Sequence, residues 1–166
     1  MPLSLRPCSP DDHPALYRLI GQARGNLFQL RDFIPSPDQF VGALWQNTLS
    51  VYVGGEHPQD VSFAARISDV DYSSRRADLG LMLAPNVPLD QSRLCTTGYL
   101  EHFFYNSPIA KLSIYALPDD YVAIQDVLGD RLADEGALLN HSYHHGEYVD
   151  VKVGAVFRKD FAGDVP

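Results

Sequence analysis

From residue 49 to residue 83 apolar side chains recur at every second position, in three runs: 49–53, 61–71 and 76–83. Turn signals at Gly54-Gly55 and Ser73-Ser74 separate them. A period of two is the spacing of a strand with one buried face, and short polar turns join such strands antiparallel. After Pro85-Asn86-Val87-Pro88 the period changes. A helix-length stretch at about 90–105 carries Leu94, Leu100, Phe103 and Phe104, and a buried-looking run at 110–117 follows it. A strand regained through a helix lies parallel to the one left behind. A meander followed by one parallel crossover therefore demands a mixed sheet covered by helices, an α/β or α+β architecture.

The flanks extend that plan. Leu3 to Arg6 alternates as a short strand, and Ser9-Pro10-Asp11-Asp12 caps a helix whose apolar face is Leu16, Leu19, Ile20 and Ala23. A second helix follows Pro37, with Phe40, Val41, Leu44 and Trp45 on one side. Near the other end, Pro118-Asp119-Asp120 caps a helix over 121–128 that stops at Gly129. Two strands, about 133–139 and 148–158, close the chain around a polar loop at 140–147. With no repeat or linker, and with 45% apolar against 20% charged residues, residues 1–166 are expected to fold as one domain.

Charge narrows the partners. Thirteen basic and 21 acidic residues leave a net charge of -8, and the three lysines, Lys111, Lys152 and Lys159, are dispersed. Arg75-Arg76 sits among Asp69, Asp71 and Asp78. Nucleic acid, which requires clustered cations, is not an expected partner. No apolar stretch approaches the roughly 20 residues that span a bilayer, and the first thirty residues lack the apolar core of an export signal. Cys8 and Cys95 lie far apart in unlike contexts. Reduced thiols in a cytoplasmic protein are the expectation, with Cys95 a small buried hydrophobe.

The order strand, two helices, three antiparallel strands, helix, strand, helix, two strands resembles the GNAT (Gcn5-related) N-acyltransferase fold. Local phrases carry the resemblance over nearly the whole chain. Leu5-Arg6-Pro7 with Ser9-Pro10-Asp11-Asp12 is similar to the opening of the branch that acetylates ribosomal-protein N-termini and small amines. Residues 77–85, Ala-Asp-Leu-Gly-Leu-Met-Leu-Ala-Pro, resemble that branch's fourth strand. Residues 132–138, 146–151 and 157–161 resemble its closing strands. The resemblance implies a mostly antiparallel sheet with a V-shaped splay between strands four and five and about four flanking helices. It further implies that backbone groups at Leu81, Met82 and Leu83 pair with the pantetheine arm of acetyl-CoA or another acyl thioester. The next helix would aim its first turn, with Gln91, Ser92 and Arg93, at the donor's phosphates.

The residues depart from the family where the donor is held. The phosphate loop, Gln/Arg-x-x-Gly-x-Gly/Ala in the family, falls on Pro88-Leu89-Asp90-Gln91-Ser92-Arg93. Pro88 has no N–H, Gln91 replaces a glycine, and Asp90 brings negative charge. Arg93 either binds phosphate through its side chain or is a solvated helix residue. The thiolate-protonating tyrosine of the family corresponds to Gln125, leaving Tyr121 and Tyr115 as candidate acids. Asp78 is either a general base acting through water, if burial raises its pKa, or a strand-end aspartate paired with Arg75 or Arg76. His141 and His144 in the closing loop are candidates for an acceptor pocket. His144 and His145 would point apart in an extended chain and no cysteine stands nearby, so no metal is expected.

The resemblance thus implies acyl transfer from a CoA or carrier-protein thioester to an amine acceptor, a small molecule or a peptide N-terminus. An acyl carrier protein is among the expected partners, because a phosphopantetheine arm alone needs no pyrophosphate loop. A homodimer paired through the last strands is another. The competing reading is a fold member that keeps the cleft for a ligand or partner and has lost the chemistry.

Overall fold

In the computed structural model, which describes residues 3–28 and 34–163, β1 (Leu5–Pro7) leads through a 3-10 turn into α1 (His13–Leu19) and α2 (Pro37–Trp45). The meander β2 (Thr48–Gly54), β3 (Phe63–Asp71) and β4 (Arg76–Leu83) follows, and β1 lies antiparallel on the free edge of β2. The crossover helix α3 (Leu89–Asn106) delivers β5 (Lys111–Ala116) parallel to β4, as its topology requires. Then come α4 (Pro118–Leu128) and the antiparallel pair β6 (Ala133–His144) and β7 (Glu147–Phe157). The seven strands run β1-β2-β3-β4-β5-β7-β6. Among the described residues no helix is long and apolar enough to cross a membrane.

Local chemistry explains the helix ends. Ser36 Oγ accepts from the Gln39 N–H, Gln39 Oε1 accepts from the Ser36 N–H, and Pro37 fills the first helical position, so α2 starts with a full capping box. The first helix is shorter than expected. It stops at Leu19, and the amides of Gln22 and Ala23 turn back onto the Leu19 carbonyl just past Gly21. Ile20 is still buried, but in the turn.

Each face of the sheet carries its own core. On one, Phe63, Ile67, Leu79 and Leu81 pack against Tyr99, Leu100 and Phe104 of α3 and Ile124 of α4. On the other, Val51, Val53, Ala64 and Met82 meet Leu16, Phe40 and Leu44 of α1 and α2. Fully burying each large side chain contributes about 1.5–3 kcal/mol. Cys95 belongs to the first core, where burial pushes its thiol up to about 11. Asp12, expected only to cap a helix, is fully buried. It accepts from both Arg6 guanidinium nitrogens at 2.8 and 2.7 Å and from the Ser9 N–H, tying β1 to the start of α1.

The closing strands correct an expectation. Residues 140–147 are not a loop: β6 continues to His144, and His145-Gly146, with φ of 49° and 84°, forms a two-residue hairpin turn of the primed kind. Asn140, also at positive φ, marks the bulge where the register shifts, and its N–H donates to Asp150.

Candidate functional site

Only three residue pairs join β4 to β5: Arg76 with Lys111, Ala77 with Leu112, and Asp78 with Ser113. Beyond Asp78 the strands separate into the expected V. Along the β4 arm, Leu79, Leu81 and Leu83 turn their backbone groups into the gap. Met82 is opposite Ala64 of β3 and turns its own away from the gap, so of the three residues expected to hold a donor arm, Leu81 and Leu83 face it.

The gap is already filled. The segment from Arg24 to Leu27, just after α1, lies in it as a short extra strand. Arg24 and Leu83 exchange both N–H···O bonds, at 2.9 and 2.8 Å, and the Leu27 N–H donates to the Leu81 carbonyl at 3.0 Å. Between them the Asn26 amide bridges both arms of the V. Its Nδ2 donates to the carbonyls of Leu79 (2.8 Å) and Tyr115 (3.1 Å), and its Oδ1 accepts from the Leu81 N–H (2.9 Å). Gly25 makes the approach possible. Its φ is 114°, and a Cβ there would stand 2.1 Å from the Leu81 carbonyl oxygen. The Gly25 N–H donates to Asp120 Oδ1 at the start of α4. In this closed arrangement the gap does not fit a pantetheine arm.

Asp78 stands at the fork, half-buried. Alternation along β4 puts Ala77 and Leu79 in the α3 core and Asp78 on the opposite face, together with Ser113 and Tyr115 of β5. Burial pushes the Asp78 carboxyl above its ordinary value, the charge of Asp69 adds to this, and Arg76 and Arg66 oppose it. Neither expected ion pair forms: Arg75 Nε donates to the Pro108 carbonyl, and Arg76 lies 4.0 Å from Asp71. Tyr115 is partly exposed on the Asp78 face. Tyr121 is elsewhere. It packs in the α3–α4 core with its hydroxyl buried, unbonded and facing Gly154 of β7.

Two cavities flank the gap. One, of about 330 Å³, lies where β4 meets α3 and is lined by Leu83, Ala84, Ser92, Asp126 and the guanidinium-bearing Arg24. Of the three residues expected at the phosphates, Ser92 lines this cavity, Gln91 donates its N–H to the Pro88 carbonyl, and Arg93 donates from Nε to the Asp126 carbonyl and lies 3.8 Å from Asp90 in an ion pair. Arg24 is the cation that sequence reasoning missed, because no motif marks the α1–α2 connection. The other cavity, about 310 Å³, is enclosed by Leu117, Pro118, Asp119, Asp120, Val149 and His144, whose Nδ1 is buried without a hydrogen-bond partner. His141, an odd number of residues from His144, is exposed on the other face of β6 and does not join it. Among the described residues no group of three or more His, Cys, Asp or Glu could hold a metal ion.

No family model matches the chain, and no curated protein sequence does. Solved structures match it over almost their whole length. Spermidine N-acetyltransferase from Vibrio cholerae, in complex with CoA and spermine, aligns with a TM-score of 0.76 over 96% of this chain and 97% of that one, at 17% identity. A chimera of the same enzyme, SpeG, with hSSAT aligns with a TM-score of 0.78 over 97% and 98%, at 16% identity. These structures support the fold and do not bear on the ribosomal-protein branch. The mixed sheet, the single parallel pair and the splay beyond Asp78 are thus those of the GNAT acyltransferase fold.

Proposed function

We propose that the protein is an N-acyltransferase that moves an acyl group from a CoA or carrier-protein thioester to a small cationic amine. The observation that carries this reading is the fork at Asp78, beyond which β4 offers three carbonyls and two N–H groups to an extended arm. With residues 24–27 withdrawn, the Leu81 N–H is the donor available to an acyl carbonyl oxygen, and to the oxyanion it becomes. Asp78 lies three residues back along β4, roughly 10 Å at 3.3 Å per residue, so it takes the amine's proton through water. The amine nitrogen then bonds to the acyl carbon as the carbon–sulfur bond breaks, and the thiolate leaves with a proton from Tyr115, which shares the Asp78 face. Tyr121 is the weaker candidate acid. The cavity at Asp119, Asp120 and His144 supports a cationic acceptor, as does the net charge of -8. Spermine, bound by the Vibrio cholerae structure, is one such amine. The non-glycine loop at 88–93 favours a donor held by more than its pyrophosphate, such as an acylated carrier.

The test is thermal unfolding with acetyl-CoA, longer acyl-CoAs and an acylated carrier, alongside amine-dependent thiol release with spermidine and spermine. A donor at about 100 times its Kd adds roughly 2.7 kcal/mol, or about 5–11 °C in a chain of this size. No shift and no thiol release, in the wild type and in a variant with an emptied gap, would overturn the reading. That result would favour the alternative, a GNAT-fold binding module without chemistry.

A further inference from the structure

Five backbone groups of β4 face the gap, and all five are bonded to residues 24–27: the Leu79, Leu81 and Leu83 carbonyls and the Leu81 and Leu83 N–H groups. These are the groups a thioester arm would need. The match extends to chemical type, since the Asn26 side-chain carbonyl sits on the Leu81 N–H, where an acyl carbonyl would sit. Gly80, on β4 opposite the segment, leaves no slack either, for a Cβ there would lie 3.1 Å from the Leu27 Cα. Ordinary loops do not saturate a strand edge in this way; a paired strand does.

We propose that residues 24–27 are a built-in competitor of the acyl donor: the protein rests closed, and a thioester arm binds only when this segment leaves the gap. The inference rests on the acyltransferase reading and adds its regulation. Donor affinity is then the intrinsic affinity multiplied by the fraction of molecules that are open. Whatever weakens the seat of the segment tightens donor binding, although it removes contacts and adds none to the donor. Binding to the wild type is gated, so its observed rate levels off at the opening rate as donor concentration rises.

Two variants unseat the segment by different means. Gly25→Ala places a methyl against the Leu81 carbonyl at a backbone angle alanine disfavours. Asn26→Ala deletes the three side-chain bonds across the V and leaves the backbone alone. Each is measured for acetyl-CoA and acetyl-pantetheine affinity by calorimetry, for stopped-flow binding rate, and for amide hydrogen exchange at Leu81 and Leu83, with circular dichroism confirming the fold; if one variant does not fold, the other decides. The expected result is donor binding tightened roughly tenfold or more, a binding rate that rises linearly with donor, and faster exchange at those two amides. Equal donor affinity in wild type and variants overturns the competitor and leaves the acyltransferase standing. No donor binding in any of the three, with exchange at Leu81 and Leu83 accelerated in the variants, overturns the acyltransferase reading and with it any competition for a thioester.

Discussion

Replacing Asp12 by Asn tests whether the buried Arg6–Asp12 pair organises the chain that leads to the gap. Asp12 is fully buried, accepts four hydrogen bonds from Arg6 and Ser9, and is held down to about 2 from an ordinary 3.8, chiefly by the Arg6 guanidinium. At 1.36 kcal/mol per pKa unit this lowering corresponds to about 2.5 kcal/mol of stability at neutral pH. An asparagine can accept one Arg6 bond but turns an amide NH2 toward the other nitrogen. Arg6, about a quarter exposed and still bonded to the Gly55 carbonyl, recovers part of the loss through water. For a chain of 166 residues the whole loss of about 2.5 kcal/mol would lower Tm at pH 7 by about 5–10 °C, and the partial recovery at Arg6 brings the expected drop to about 3–8 °C. Because folding lowers this pKa, the unfolded chain takes the proton first on acidification. The contribution is complete above about pH 4 and is lost as pH falls from 3.8 toward about 2. Paired melts of wild type and variant from pH 7 to pH 2.5 read it directly. A gap below about 3 °C at pH 7, or one that persists undiminished at pH 2.5, would refute the reasoning.

Other substitutions separate the candidate catalytic residues. Asp78→Asn should lower kcat/KM for an amine acceptor by about a hundredfold, the scale of a lost general base. The same change should raise Tm at pH 7, because burial raises this carboxyl's pKa in the fold and its charge costs stability; the gain should vanish below about pH 4, and an unchanged kcat/KM removes Asp78 from the mechanism. Tyr121→Phe deletes a buried hydroxyl that bonds to nothing, so turnover should stay within twofold and Tm should hold or rise; a tenfold fall in kcat would make Tyr121 the acid after all.

How much was legible follows from how local each signal is. The strands of residues 48–83 and the α3 crossover were written in period and turn chemistry, and Arg76–Leu83 was bounded to the residue. The β6–β7 turn was misread because a His-Gly pair does the work usually assigned to Asn-Gly, reaching positive φ with a polar but less typical residue. At the site, Asp78 was legible because a carboxylate in an apolar strand is conspicuous. That the Met82 backbone faces β3 was not legible, because period two says which residues alternate, not which neighbour each backbone faces. Arg24 to Leu27 was not legible at all: pairing a connection to a strand some 55 residues away leaves no local pattern, and Gly25 reads as a turn glycine until the Leu81 carbonyl is seen against it.

The altered phosphate loop and the filled gap have one physical consequence in common. An arm entering the gap exchanges five existing hydrogen bonds for five of its own, and an exchange of that kind yields little net free energy. The compensation that the sequence resemblance implies is at the helix after strand four, where here Pro88 offers no N–H and Asp90 opposes an anion. Arg24, which lines the cavity next to that helix, is on the very segment that must move. Opening the gap therefore moves a cationic residue of that cavity's lining. A tight donor must gain its affinity from parts other than the arm and the pyrophosphate, through its acyl group or the surface of a carrier that presents it. Among CoA thioesters acetyl-CoA, with the smallest acyl group, should for that reason bind more weakly than longer acyl-CoAs or an acylated carrier.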